Sequence, residues 1–267
     1  MNPIIFTDLD GTLLDDKYSF NESLPALKIV KNKRIPLIFC TSKTEPEIKI
    51  YLKKMNINMP FIVENGGAVF IPKNYFNFRF KSNKFKDNHF VIELGTSYKK
   101  LEKIFNKIKK EIKFKIVGFS EMDAKSVAKD TGLKIGEARL AKKRSYSLPF
   151  KIEKNNTREI IKAVKKYKLN YTKGINYHYI MGKNDKAKAI KILTTLYKRK
   201  FKDVFTIGLG NGFNDLPMLK IVDKAYLIKN KDGYDKDIRN LRNIEKVRYR
   251  ASKGWNKAIL GFFKNDN

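Results

Sequence analysis

Asp8 and Asp10 stand one residue apart and are followed at once by Gly11, at the end of the apolar run Pro3-Ile4-Ile5-Phe6-Thr7. Two carboxylates at this spacing can share a hard cation such as Mg²⁺. One of them can also attack phosphorus as a nucleophile. Thr41, Ser42 and Lys43 follow a second apolar run. A hydroxyl there can donate to a phosphoryl oxygen, although Ser42 or Thr44 can equally cap a following helix. Asn65, Gly66 and Gly67 follow a third run, where paired glycines admit a ligand to the backbone or make a hairpin. Lys186 falls in the first turn of a predicted helix, an end that suits anions. Last, Gly210-Asn211-Gly212-Phe213-Asn214-Asp215 puts amides and an acid at a strand end. That loop is either a metal loop or a glycine-rich turn capped by Asn214.

Placing these groups together requires a parallel sheet. The apolar runs at 3–7, 35–40, 60–63, 204–208 and 225–228 read as buried strands, and such strands deliver ligand-binding residues at their C-terminal ends. Amphipathic helices are expected at 22–33, with Leu24, Leu27 and Val30 facing inward, and at 45–55, 185–197 and 252–263. Residues 74–87 are aromatic, basic and irregular, and the composition then shifts. Strands at 89–94, 114–117, 147–152, 170–172 and 176–181 mix with helices at 97–112, 122–131, 135–142 and 157–168, the pattern of an α+β unit. The organisation read from this is a core over 1–84 and 183–267, interrupted by an insertion over 85–182.

Composition narrows the functional classes. With 267 residues, 42% of them hydrophobic, the chain can bury a full core. The lone cysteine, Cys40, excludes an internal disulfide framework and a cysteine-based zinc site, and two histidines leave little for a histidine-rich metal site. No run is long enough to span a membrane, and the N-terminus enters the Asp8 strand with no leader, so a cytoplasmic setting is expected. The formal charge of +31 allows phosphate-backbone binding. The lysines are scattered rather than gathered into an arm, which reads as compositional bias that draws in anionic substrates. Nucleic acid is therefore not the expected partner.

Asp8-Leu9-Asp10-Gly11-Thr12, Thr41, Lys186 and the 210–215 loop occur in the order of the four motifs of the haloacid-dehalogenase superfamily, which the chain resembles. The insertion resembles the α+β cap of the superfamily's sugar-phosphatase branch. Within that branch, residues 5–15, Cys40-Thr41-Ser42-Lys43-Thr44, residues 61–68, 131–133 and 137–144, Tyr146-Ser147 and residues 214–219 are similar to the mannosyl-3-phosphoglycerate phosphatases. This resemblance covers most of the chain. It implies a Rossmann-like parallel-sheet α/β core with an inserted α+β cap. The implied activity is Mg²⁺-dependent hydrolysis of 2-mannosyl-3-phosphoglycerate to phosphate and mannosylglycerate, a compatible solute. A glucosyl analogue is handled in the same neighbourhood.

Under this resemblance Asp8 is the nucleophile, and Asp10 protonates the leaving hydroxyl and then deprotonates water. Thr41 and Lys186 hold phosphoryl oxygens. Asp8, Asp10, Asn211 and Asp215 are the metal candidates. Ser42, Lys43, Asn65, Gly66, Gly67, Arg139, Arg144, His178 and Met181 are the substrate candidates, with Lys43, Arg139 and Arg144 assigned to a carboxylate. For His178, between Tyr177 and Tyr179, a structural strand role competes. Two departures stand out: Asn211 occupies a position where the family usually carries Asp, and Leu148 one where an acid is expected. The alternatives are a broader sugar-phosphate phosphatase and a weakly active or inactive phosphate- or nucleic-acid-binding relative.

Overall fold

The computed structural model describes residues 2–153, 156–241 and 243–265. β1 (Asn2–Thr7) carries Ile4, Ile5 and Phe6, all without exposed surface. Ile5 packs into one core cluster and Ile4 and Phe6 into another, as the alternation of a strand covered on both faces demands. α1 (Leu24–Asn32), β2 (Leu37–Phe39), α2 (Glu45–Met55), β3 (Phe61–Val63) and β4 (Ala68–Pro72) follow. β5 (Lys84–Lys86) and β6 (His89–Glu93) come next. α2 begins with a capping box in which Thr44 accepts from the Glu47 amide and Glu47 accepts from the Thr44 amide.

The insertion comprises α3 (Tyr98–Glu111), β7 (Ile116–Gly118), α4 (Ala124–Thr131), α5 (Ile135–Ala141), β8 (Ser147–Ile152), α6 (Thr157–Lys166), β9 (Asn170–Lys173) and β10 (His178–Met181). Its antiparallel sheet runs β7-β8-β10-β9. On one face Leu101, Phe105 and Ile108 of α3 and Ile160 and Val164 of α6 cover Leu148, Phe150 and Ile180. On the other, Phe119, Val127, Ala138, Tyr177 and Tyr179 form a smaller cluster. The chain then re-enters the core with α7 (Lys186–Phe201), β11 (Val204–Gly210), α8 (Leu216–Leu219), β12 (Lys224–Lys229), β13 (Ile244–Arg250) and α9 (Ala251–Asn265).

The core sheet is ordered β13-β12-β11-β1-β2 and is parallel throughout. From β1 the chain steps to β2 on one side, and later from β11 to β12 and β13 on the other. The direction of winding therefore reverses between β1 and β11, the switch point at which such sheets open a ligand crevice.

Four expectations are corrected. β6 pairs with β4 in the sheet β3-β4-β6-β5, so a boundary at residue 85 would divide one sheet between two domains. We place the insertion at about residues 96–181 instead, between the β6 strand and α7. β3 meets the parallel sheet at its end, through the Cys40–Ile62 bridge and backbone bonds of residues 64–65 to residues 41–43, rather than as a full member; its antiparallel pairing with β4 is the expected hairpin. α1 buries Ala26 and Val30, one turn apart, and leaves Leu24 49% exposed. β13 was not expected from the sequence. Its residues IEKVRYR bury only Val247, and an edge strand with charges on both faces carries no apolar run.

Candidate active site

The switch point sets the site's centre. The Asp8 amide continues the β1–β11 ladder by donating to the Leu209 carbonyl at 2.9 Å, which fixes the aspartate at the strand's C-terminal end. Lys186, the first residue of α7, reaches across to it with no exposed surface of its own. Its Nζ lies 2.9 Å from Asp8 Oδ1 and 2.6 Å from Asp215 Oδ1. Asp215 Oδ2 accepts from the amides of Asn211 and Gly212, so this one carboxylate folds the 210–215 loop and holds the lysine. Burial, with Asp215 next, pushes the Asp8 carboxyl up to about 7 against the pull of Lys186. Burial opposes the charge on Lys186, but Asp215 and Asp8 outweigh it and raise its pKa above the ordinary lysine value.

Asp10 lies beside a second buried lysine. Lys43 Nζ is 3.0 Å from Asp10 Oδ2 and 3.5 Å from Glu47 Oε1. These residues open onto a cleft of about 260 Å³ between core and insertion. Asp8, Asp10, Ser42, Lys43, Asn211 and Asn214 line it from the core, and Phe119, Arg144, Tyr177 and Tyr179 from the insertion. Three links close it. Arg144 donates to the Ser42 carbonyl at 2.6 Å, Tyr18 donates to the Thr131 carbonyl at 2.6 Å, and the Thr44 hydroxyl lies 3.1 Å from the Leu140 carbonyl.

Glu64 ties the core to the start of β8 in the insertion. It is buried at a left-handed φ of 48° and accepts from the amides of Ser145, Tyr146 and Ser147 and from the Ser147 hydroxyl. Sequence reasoning missed Glu64, Glu47 and Tyr18. Only Glu47 carried a signal, the T-x-x-E spacing of a capping box.

The structure brings Asp8, Asp10, Ser42, Lys43, Arg144, Asn211 and Lys186 together. Thr41 lies at the same strand end, but it has no exposed surface and its hydroxyl accepts from the Lys43 amide; Ser42 is the residue on the cleft lining. Asn65 is buried beneath the site, where its Oδ1 accepts from Asn214. Gly66 and Gly67 serve packing rather than a ligand. A Cβ on Gly66, at φ +84°, would lie 2.0 Å from the Asp185 carbonyl oxygen, and one on Gly67 2.4 Å from Tyr146 Cβ. Arg139 is exposed on α5, away from the cleft. His178 and Met181 are not on its lining. His178 alternates with Tyr179 along β10 and faces Phe150 and Tyr171, the helix-covered side. Burial lowers its pKa to about 4.

The donors available to a cation are narrower than expected. Both Asp215 oxygens are committed to Lys186 and to two amides, and the residue is fully buried off the cleft lining, so it does not serve as a ligand. Asp8, Asp10 and the Asn211 carbonyl remain. Asp10 Oδ1 is buried with no hydrogen-bond partner among the described residues, an orphaned acceptor of the kind a cation satisfies. Among those residues no group of three or more acidic, histidine or cysteine side chains has metal-binding proximity. Two carboxylates and a neutral oxygen still suit Mg²⁺, which uses one or two carboxylates and fills its octahedron with water and phosphate oxygens.

Known proteins give the arrangement its context. A family model described as haloacid dehalogenase-like hydrolase matches residues 5–238. A glucosyl-3-phosphoglycerate/mannosyl-3-phosphoglycerate phosphatase from Methanococcoides burtonii is 48% identical over 272 residues, covering 100% of both chains. A mannosyl-3-phosphoglycerate phosphatase from Pyrococcus furiosus is 36% identical, covering 84% of this chain and 90% of its own. A solved structure from Thermoplasma acidophilum superposes with a TM-score of 0.70 at 16% identity, over 98% of this chain and 99% of that one, and so shares the fold. A carboxylate at the β1 tip, a lysine from the first helix after the insertion, an acid-buttressed loop after β11 and an inserted α+β cap, together with these matches, make the chain a member of the haloacid dehalogenase-like hydrolases.

Proposed function

We propose that the chain is a phosphatase of glucosyl-3-phosphoglycerate and mannosyl-3-phosphoglycerate that works through a phosphorylated Asp8. The observation that carries this reading is the end-to-end similarity to the Methanococcoides burtonii phosphatase, cap included, together with the buried Asp8–Lys186–Asp215 arrangement.

Asp8 attacks phosphorus in line and displaces the glycerate hydroxyl, to which Asp10 gives a proton. Lys186 and the hydroxyl-bearing loop at 41–42 stabilise charge on the phosphoryl oxygens. Water then attacks the phosphorus, and Asp10 takes its proton while Asp8 is released. Asp8, Asp10 and Asn211 would hold Mg²⁺, which when bound would supply charge neutralisation between the nucleophile and the phosphate. Arg144 is the arginine on the cleft lining and is the residue we assign to the substrate carboxylate. The apolar ring faces of Tyr177 and Tyr179 suit a hexose. One buried free thiol, Cys40, agrees with a cytoplasmic setting, and no helix among the described residues is long and apolar enough to cross a membrane.

Phosphate release from both substrates, with and without Mg²⁺ and against Asp8→Asn, tests this. Metal-dependent release lost in the variant supports the reading. Release from simple sugar phosphates but from neither phosphoglycerate would overturn the substrate assignment.

A further inference from the structure

Lys43 invites assignment to the substrate's carboxylate, but its surroundings give it other work. Its side chain is 4% exposed, and its ammonium lies between Asp10 and Glu47 with the Tyr18 ring 4.9 Å and the Tyr51 ring 5.8 Å away. Although Lys43 lines the cleft, its charge is already balanced by two carboxylates and two aromatic faces, which leaves little for a third anion to meet. Asp10, conversely, depends on it. Asp10 Oδ2 meets Lys43, and Oδ1 has no partner among the described residues, so the lysine is what holds this carboxylate in place. Glu47 holds the lysine in turn. Its Oε2 accepts from the Thr44 amide and hydroxyl, both at 2.8 Å, and the same hydroxyl lies 3.1 Å from the Leu140 carbonyl of the cap.

We infer that Lys43 is a positioning residue for Asp10, braced by Glu47, and is not a ligand of the substrate. The inference rests on the mechanism proposed above. In its hydrolytic half the oxygen of water bonds to phosphorus, the bond from phosphorus to the Asp8 oxygen breaks with its electron pair returning to that carboxylate, and the water proton passes to Asp10. A displaced Asp10 slows this half, which is common to every substrate.

The experiment compares Lys43→Met with wild type on three substrates: glucosyl-3-phosphoglycerate, glycerol 3-phosphate, which lacks the carboxylate, and p-nitrophenyl phosphate. Positioning predicts a fall in kcat on the order of tenfold or more on all three. It also predicts a rapid-quench burst of p-nitrophenol as phosphoenzyme accumulates, partial rescue by Lys43→Arg, and no further loss when Lys43→Met is added to Asp10→Asn. A raised KM confined to glucosyl-3-phosphoglycerate, with kcat unchanged on the other two, would overturn the inference, as would additive losses in the double variant. Should Lys43→Met alone fail to fold, the double variant, which removes one buried charge of each sign, carries the comparison. A wild type that forms no phosphoenzyme would sink the underlying mechanism as well, which separates the two failures.

Discussion

The Arg144 guanidinium of the insertion donates to the backbone carbonyl of Ser42 at 2.6 Å, across the mouth of the cleft. The same side chain lies over the rings of Phe119 and Tyr179, which hold it flat. On the proposed reading, the side chain that ties the insertion to the core is also the one that meets the substrate carboxylate. Replacing Arg144 by Gln should raise KM for glucosyl-3-phosphoglycerate roughly tenfold to a hundredfold, the size of a lost charged hydrogen bond. Turnover of p-nitrophenyl phosphate should change little. Steady-state kinetics on the two substrates decide it, and equal losses on both would assign Arg144 to cap closure alone.

Lys186 carries a larger share. On the proposed mechanism Lys186→Met removes a donor to the reacting phosphate, and it leaves Asp8 and Asp215 facing each other in the interior. Loss of kcat on the order of a hundredfold to a thousandfold is expected. Stripping one partner from buried charges should also cost stability, about 3–5 kcal/mol. Urea unfolding beside single-turnover kinetics would separate the two effects.

Where the core meets the start of β8, Glu64→Ala orphans three consecutive amides and a hydroxyl. Each donor left buried and unpaired costs about 1–3 kcal/mol. The melting temperature should fall, and proteolytic nicking should rise near residues 143–147. An unchanged digestion pattern would contradict the anchoring role.

The neutral ligand makes a directional prediction. Asn211 Oδ1 accepts from Thr12 at 2.9 Å, and its Nδ2 donates to Asn230 Oδ1 at 2.7 Å. Asn230 is itself oriented, because its own amide nitrogen donates to the Asn211 carbonyl. Asn211→Asp adds a charge for the cation and sets a carboxylate oxygen against the Asn230 oxygen. Calorimetric Mg²⁺ affinity should rise roughly tenfold, while the apo melting temperature falls.

His178 predicts the acid limb of stability. Burial holds it at about 4, below its ordinary 6.5, so the unfolded chain takes up this proton first as pH falls. Its contribution is complete above 6.5 and is lost progressively as pH drops towards 4. Between about pH 7.5 and about pH 4.5, His178→Phe should therefore lose less stability than wild type. Urea midpoints at the two pH values report this, and parallel losses would refute it.

Much of the core was legible because its strands are continuous apolar runs that end in reactive residues. The Asp8 and Asp10 pair stands out by local spacing, whereas Lys186 is a weak signal until the order of the four motifs singles it out. What escaped was whatever depends on partners far along the chain. β6 reads as an independent strand until its pairing with β4 is seen. Glu64 looks like any turn residue until residues 145–147 arrive. Lys43 and Asp215 were assigned to substrate and metal by residue type, yet each is already engaged by protein groups. Along β10 a side chain's face alternates residue by residue, so His178 turns to the helix-covered side while Tyr177 and Tyr179 line the cleft.

β13 shows a different economy. It closes one side of the core sheet as an outermost strand with Glu245, Lys246, Arg248 and Arg250 exposed. An unpaired strand of that kind is a template onto which another chain can add. Charges on both of its faces make such addition costly, and in a chain of net charge +31 an incoming copy is repelled before it docks. The lysine excess that draws in anionic substrates thus also opposes fibril-like association at this edge. That protection weakens as salt is raised, because exposed charges are screened over about 8 Å at physiological ionic strength.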